Sequence, residues 1–188
     1  DAPILSKAEQ QLKDFADSAV RYGMQLRTSE GTLQIAIPFE ALPPVAAFVR
    51  GSSAFVVFDG NPAIDVTKIA DQSNGVISAV RKSQTASGSA LEMSLTQPRL
   101  ASLASFGNVW VLSLSDTILS PTRPMQLVST FSPDGRTAHH VKTEGIGLVH
   151  RVPDAQIGDE LLVVTLQPPA RGLVRERDFI EFGALATA

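Results

Sequence analysis

The residues with metal-ligating potential fall in one stretch: His139 and His140 are adjacent, Asp134 precedes them and His150 follows. Neighbouring side chains on a strand point to opposite faces, so the two histidines do not readily converge on one ion. Asp134 lies in Ser132-Pro133-Asp134-Gly135, a turn whose own chemistry accounts for an aspartate. The expectation is no metal site. The chain contains no cysteine, which removes thiol nucleophiles and Cys-ligated zinc, iron–sulfur or haem centres. Serines are abundant, but no Gly-x-Ser-x-Gly elbow presents one of them to a His–Asp pair. Asp159 and Glu160 are adjacent at the start of a strand pattern and read as a solvated turn. No Walker loop or Gly-x-Gly-x-x-Gly fingerprint occurs. No catalytic residue and no cofactor is assigned, and the chain reads as a non-enzyme.

Four arginines are the candidates for binding. Arg171, Arg175 and Arg177 lie close together, and the last two share a face if Leu173–Phe182 is extended. Such a row could contact an anionic polymer. Glu176 and Asp178 alternate with it, which also describes a charged edge that blocks strand pairing. Arg50 precedes Gly51 and belongs either to a binding loop or to a solvated turn. A net charge of −3 supplies no electrostatic basis for binding nucleic acid.

The elements that must position these residues follow from periodicity. Leu5, Ala8, Leu12, Phe15 and Ala19 recur at three- and four-residue steps and predict one long helix over Ser6–Tyr22. Ser6 and Glu9 form a capping box, and Gly23 ends the helix. After Gly31 the period becomes two. Strands are predicted over Leu33–Ile37, Ala54–Phe58, Val76–Arg81, Leu91–Leu95, Val109–Leu114, Met125–Phe131, Thr137–Lys142, Glu160–Leu166 and Leu173–Phe182, with Asp-Gly, Asn-Gly and Gly-Asn turn signals among them. The predicted fold class is mainly β: an antiparallel β-sandwich, or tandem small β units, with one N-terminal helix. The 188 residues suffice for a real core, and 44% hydrophobic against 19% charged residues exclude a disordered tail. No apolar run reaches the ~18–20 residues of a membrane span.

The chain also resembles itself. Leu33-Gln-Ile-Ala-Ile-Pro38 matches Leu91-Glu-Met-Ser-Leu-Thr-Gln-Pro98, each an alternating strand ended by proline. Ala46-Ala-Phe-Val-Arg-Gly51 followed by Ala54-Phe-Val-Val-Phe-Asp59 parallels Ala104-Ser-Phe-Gly107 followed by Val109-Trp-Val-Leu-Ser-Leu-Ser-Asp116. A third, weaker copy is Gln156-Ile-Gly158 before Leu161–Leu166. Phe55, Trp110 and Leu161 would then be equivalent core anchors. The predicted organisation is a helix and lead-in over 1–31 and a β-rich domain over 32–182. Its pseudo-repeats lie near 32–60, 90–116 and 145–167, and a truncated lead-out follows over 183–188.

Gly75-Val-Ile-Ser-Ala-Val-Arg-Lys-Ser-Gln84, followed by Ala90-Leu-Glu-Met-Ser-Leu95, resembles the strand pair of AMIN-type domains. These are small β-sandwiches of periplasmic amidases and secretins that bind peptidoglycan or position a partner. Phe48–Asp59 is similar to a segment of large tandem-β envelope proteins of α-proteobacteria, and Phe179–Ala188 looks like the lead-in to a further repeat. The resemblance implies a periplasmic or cell-envelope module, part of a larger protein, that binds an envelope polymer or a protein partner without catalysis. A structural spacer in a longer tandem array is the alternative, and a hydrolase with an unrecognised site the second alternative.

Overall fold

The Ser6 hydroxyl accepts a hydrogen bond from the Glu9 amide at 3.2 Å, and the Glu9 carboxylate accepts one from the Ser6 amide at 2.8 Å. This reciprocal cap opens helix α1, Lys7–Tyr22, whose buried residues are Leu12, Phe15, Ala16 and Ala19. The computed structural model describes residues 6–117 and 123–172. The expected strand Leu173–Phe182 and the lead-out lie outside these residues. Beyond α1 the described chain is mainly β.

The strands are β1 (Gln25–Ser29), β2 (Thr32–Pro38), β3 (Val45–Arg50), β4 (Ser53–Asp59), β5 (Ile77–Gln84), β6 (Gly88–Leu95), β7 (Leu100–Phe106) and β8 (Val109–Ser115), then β9 (Arg123–Pro124), β10 (Gln126–Phe131), β11 (Thr137–Lys142), β12 (Ile146–Asp154), β13 (Asp159–Leu166) and β14 (Arg171–Gly172). A second helix, α2 (Val66–Gln72), precedes β5; the Asp65 carboxylate caps it by accepting from the Thr67 and Lys68 amides. No helix among the described residues is long and apolar enough to cross a membrane.

Two antiparallel sheets face each other, with strand orders β1-β2-β8-β7 and β12-β13-β3-β4-β6-β5. Outside them, β10 and β11 form a hairpin of their own, and β9 and β14 pair in parallel. Hairpins β3–β4 and β7–β8 are exchanged between the two large sheets. β2 lies in the first sheet and sends β3–β4 into the second; β6 lies in the second and sends β7–β8 into the first. The pairings β2–β8 and β6–β4 close this arrangement, which has pseudo-two-fold order. Between the sheets pack Leu33, Ile35, Ile37, Val56, Phe58, Leu91, Met93, Trp110, Leu112 and Leu114, with Ile69 of α2.

The two hairpins turn alike. Arg50 pairs with Ser53 across Gly51, and Phe106 pairs with Val109 across Gly107; both glycines have positive φ, a conformation that costs an L side chain. Aligning these turns residue for residue sets Ala54, not Phe55, against Trp110. The expected equivalence of Phe55 and Trp110 is therefore off by one position. Both are buried, but strand alternation sends Trp110 and Ala54 between the sheets and Phe55 to the outer face. Gly158 belongs to the four-residue turn of a different hairpin, β12–β13, and Leu161 packs beside that outer cluster.

Each outer face has its own cover. On the first sheet, α1 lays Leu12, Phe15, Ala16 and Ala19 over Ala36, Val109 and Val111. On the second, β12–β13 lays Val152 and Val163 over Phe55, Val57 and Ala90. One ladder pair, Leu166–Val45, joins this hairpin to β3. Beyond that pair the hairpin twists off and folds across the face of β4.

Candidate functional site

The hairpin cover is where the polar chemistry of the chain collects. Arg50 ends β3 on the covered face and reaches the β12–β13 turn. Its Nη1 lies 2.6 Å from Asp154 Oδ2 and 2.7 Å from Asp159 Oδ1, and its Nη2 lies 2.8 Å from Asp159 Oδ2. Neither role expected of Arg50, in a binding loop or in a solvated turn, describes this. Its side chain is 10% exposed and that of Asp154 only 2%. Two backbone amides, of Gln156 and Ile157, also donate to Asp154 Oδ1. Ser52 and the Gln156 side chain join the same end by a hydrogen bond of 2.9 Å.

Hydrogen bonds from the Arg50 guanidinium hold the Asp159 carboxyl below its ordinary value of 3.8, against a smaller opposing effect of desolvation. Donating to the Asp159 and Asp154 carboxylates in turn raises Arg50. A depressed carboxyl binds its proton less readily folded than unfolded. Its contribution to stability is full above the unfolded value and is lost as pH falls through the folded one. Urea unfolding at steps from about pH 6 down to about pH 3 should show an acid-side decline that is shallower in Asp159→Asn. Identical slopes for the two proteins would refute this role of Asp159.

The other end of the hairpin holds a hydrogen-bonded relay. His150 Nε2 lies 2.8 Å from Asp59 Oδ1, and His150 Nδ1 lies 2.8 Å from Thr85 Oγ1. The Thr165 hydroxyl donates to Asp59 Oδ1 at 2.6 Å, and the Leu148 amide reaches Asp59 Oδ2 at 3.2 Å. His150 is 1% exposed. A hydroxyl, an imidazole and a carboxylate in line are the parts of a nucleophile–base–orienter chain. The packing around them is close. A Cβ at Gly88 would stand 2.8 Å from His150 Cε1 and 2.0 Å from the Phe58 carbonyl, and one at Gly147 would stand 2.4 Å from Thr165 Oγ1. The imidazole is buried and lies close against the backbone at Gly88. What the relay does is tie the end of β4, the β5–β6 turn and β12–β13 into one polar junction.

The other sequence candidates are placed apart. Arg171 donates to the Glu144 carbonyl and lies 3.5 Å from Thr143 Oγ1, so it braces the β11–β12 turn. Arg175 and Arg177 lie outside the described residues. Asp134 accepts from the Arg136 amide in the β10–β11 turn, and His140 Nε2 lies 3.0 Å from Thr130 Oγ1. Glu160, expected in a solvated turn beside Asp159, pairs with Arg151. Among the described residues no three His, Asp or Glu side chains are grouped to hold a metal ion.

The outward side of β12–β13 groups several of the exposed large hydrophobics among the described residues. Alternation puts His150, Val152, Leu161 and Val163 inward and Val149, Leu162 and Val164 outward. Leu162 is 66% exposed and Val149 61%, with Ile146, Leu148 and Val164 beside them. Sequence patterning predicts β13 but does not mark β12. The signal lies in Leu161-Leu-Val-Val-Thr-Leu166, where both faces are apolar although only one can face Phe55. Comparison of the chain with family models, with curated proteins and with solved structures returns no match.

Proposed function

We propose that this chain is a non-catalytic interaction module that holds a protein partner on the outward face of β12–β13. One observation carries the reading: Val149, Leu162 and Val164 form an exposed aliphatic cluster, bordered on the same face by the Arg151–Glu160 ion pair, on a hairpin clamped at both ends. Exposed apolar patches of this kind mark protein contact surfaces. Of the two partner classes implied by the sequence, protein fits better than polymer. Of the described arginine candidates, Arg50 and Arg171 are engaged internally, and the exposed cluster on this face is aliphatic rather than an aromatic platform. Placement in the bacterial cell envelope rests on the AMIN-type resemblance of Gly75–Leu95. The spacer alternative would be favoured by flat polar faces, which this side of the hairpin does not present.

The test is site-specific photo-crosslinking in cells of the source organism with the full-length protein. A photoreactive residue at Leu162 or Val164 is expected to trap one defined protein. The same residue at Lys7 or Lys13 on the solvent side of α1 should not, and Leu162→Asp should abolish the adduct. Sedimentation of wild type with purified sacculi, undiminished in Leu162→Asp and without any adduct at 162, would point to the polymer reading and overturn this one.

A further inference from the structure

We propose that β12–β13 is a hinged cover that opens as a unit from the six-stranded sheet while the sandwich stays folded, with the Asp59–His150 junction and the Arg50 clamp as its latches. The apolar core between the sheets contains no residue of the hairpin; it is built from β2, β3, β4, β5, β6, β8 and α2. The hairpin's own buried apolar contacts belong to a separate, smaller cluster around Phe55 and Val57. Its backbone attachment to the sheet is the single pair Leu166–Val45. Detaching it therefore breaks one ladder pair, one small cluster and the two polar junctions, and leaves every other strand pairing of the sandwich in place. Segments with few cooperative ties to the main core open below the global unfolding free energy.

The sequence of β12 and β13 suits such a cover. Gly147 lets the strand approach Asp59, Thr165 and Pro44 more closely than any Cβ would allow, so the closed position is specified by contact. The register between Ile146 and Val149 is interrupted there, which loosens the ladder at the hinge end. Opening uncovers the stacked Phe48 and Phe55 rings, whose centroids are 5.1 Å apart, with Val57 and Ala90 beside them. Arg50 and Asp59 are left at opposite ends of that strip. The device stands whether or not the outward face meets a partner, because inward and outward side chains alternate on the same strands.

Native-state hydrogen exchange read by mass spectrometry on the whole chain tests it. In wild type, amides of Leu161–Thr165 are expected to exchange faster than those of Ile35 and Leu112 in β2 and β8. His150→Ala should raise exchange in β12–β13 by about tenfold or more, as loss of a buried hydrogen-bonded group would, with β2 and β8 changing by less than about twofold. Thr85→Val, which removes one hydrogen bond and keeps the imidazole, should act in the same direction but less. Equal rates for hairpin and sandwich in wild type, or a rise of both together in either variant, would show that the hairpin opens only on global unfolding and overturn the proposal.

Discussion

Trp110→Ala is expected to lower the free energy of unfolding by about 3–5 kcal/mol, a large share of the ~5–15 kcal/mol that holds a domain together. Trp110 sits between the sheets opposite Ile37, 2% exposed, and its indole N–H donates to the Pro43 carbonyl at 2.9 Å. Truncation opens a cavity bounded by strands from both sheets and orphans that carbonyl. Phe55→Ala should cost less, about 3 kcal/mol, because its cavity lies under the hairpin, which can settle toward it. Urea unfolding followed by circular dichroism gives both values; circular dichroism is chosen because Trp110 is the sole tryptophan. A Trp110→Ala midpoint equal to wild type would refute the packing described here.

Arg50→Ala should be the costliest surface-accessible change, about 3 kcal/mol, the lower end for breaking a buried ion pair. The loss comes chiefly from Asp154, a buried carboxylate left without its cation but still served by two backbone amides. The Asp159 arm adds little, since that carboxylate is about half exposed and solvent-screened. Arg50→Lys should recover only part of the loss, because an ammonium cannot reproduce the two-pronged contact with Asp159. A change within about 0.5 kcal/mol for Arg50→Ala would restore the solvated-turn reading. Because Arg50 clamps the hairpin and Trp110 does not, denaturation of Arg50→Ala should also begin in β12–β13.

What is legible in the sequence is whatever a short local pattern can carry. The α1 stripe with its Ser6–Glu9 cap, the apolar alternation of β2, β6 and β8, and the turns at Gly51 and Gly107 all announce themselves. β7, Leu-Ala-Ser-Leu-Ala-Ser-Phe, is rich in alanine and serine and has little strand preference of its own; pairing with β8 makes it a strand. α2 is only seven residues long and owes its place to the Asp65 cap and to Ile69 in the core. The one-residue offset at Phe55 arises because apolar residues occupy both faces of β4. A strand buried on two sides has no alternation to reveal which side is which. Arg50, Asp59 and His150 cannot be assembled in advance. Their partners are about a hundred residues away in sequence, and no local pattern encodes a fold-back hairpin.

The exchange of hairpins between the two sheets bears on how such a chain could have arisen. One unit alone, a strand pair followed by a hairpin that leaves for the opposite sheet, cannot close either layer. Two copies of that unit, side by side, complete both. A single-unit ancestor of this sandwich would have had to be a homodimer, and fusion of its two genes would turn an intermolecular symmetry into the internal one seen here. The linker between β4 and β5, which carries α2, would be the seam of that fusion. Ile69, fully buried, would fix that seam in the core between the sheets.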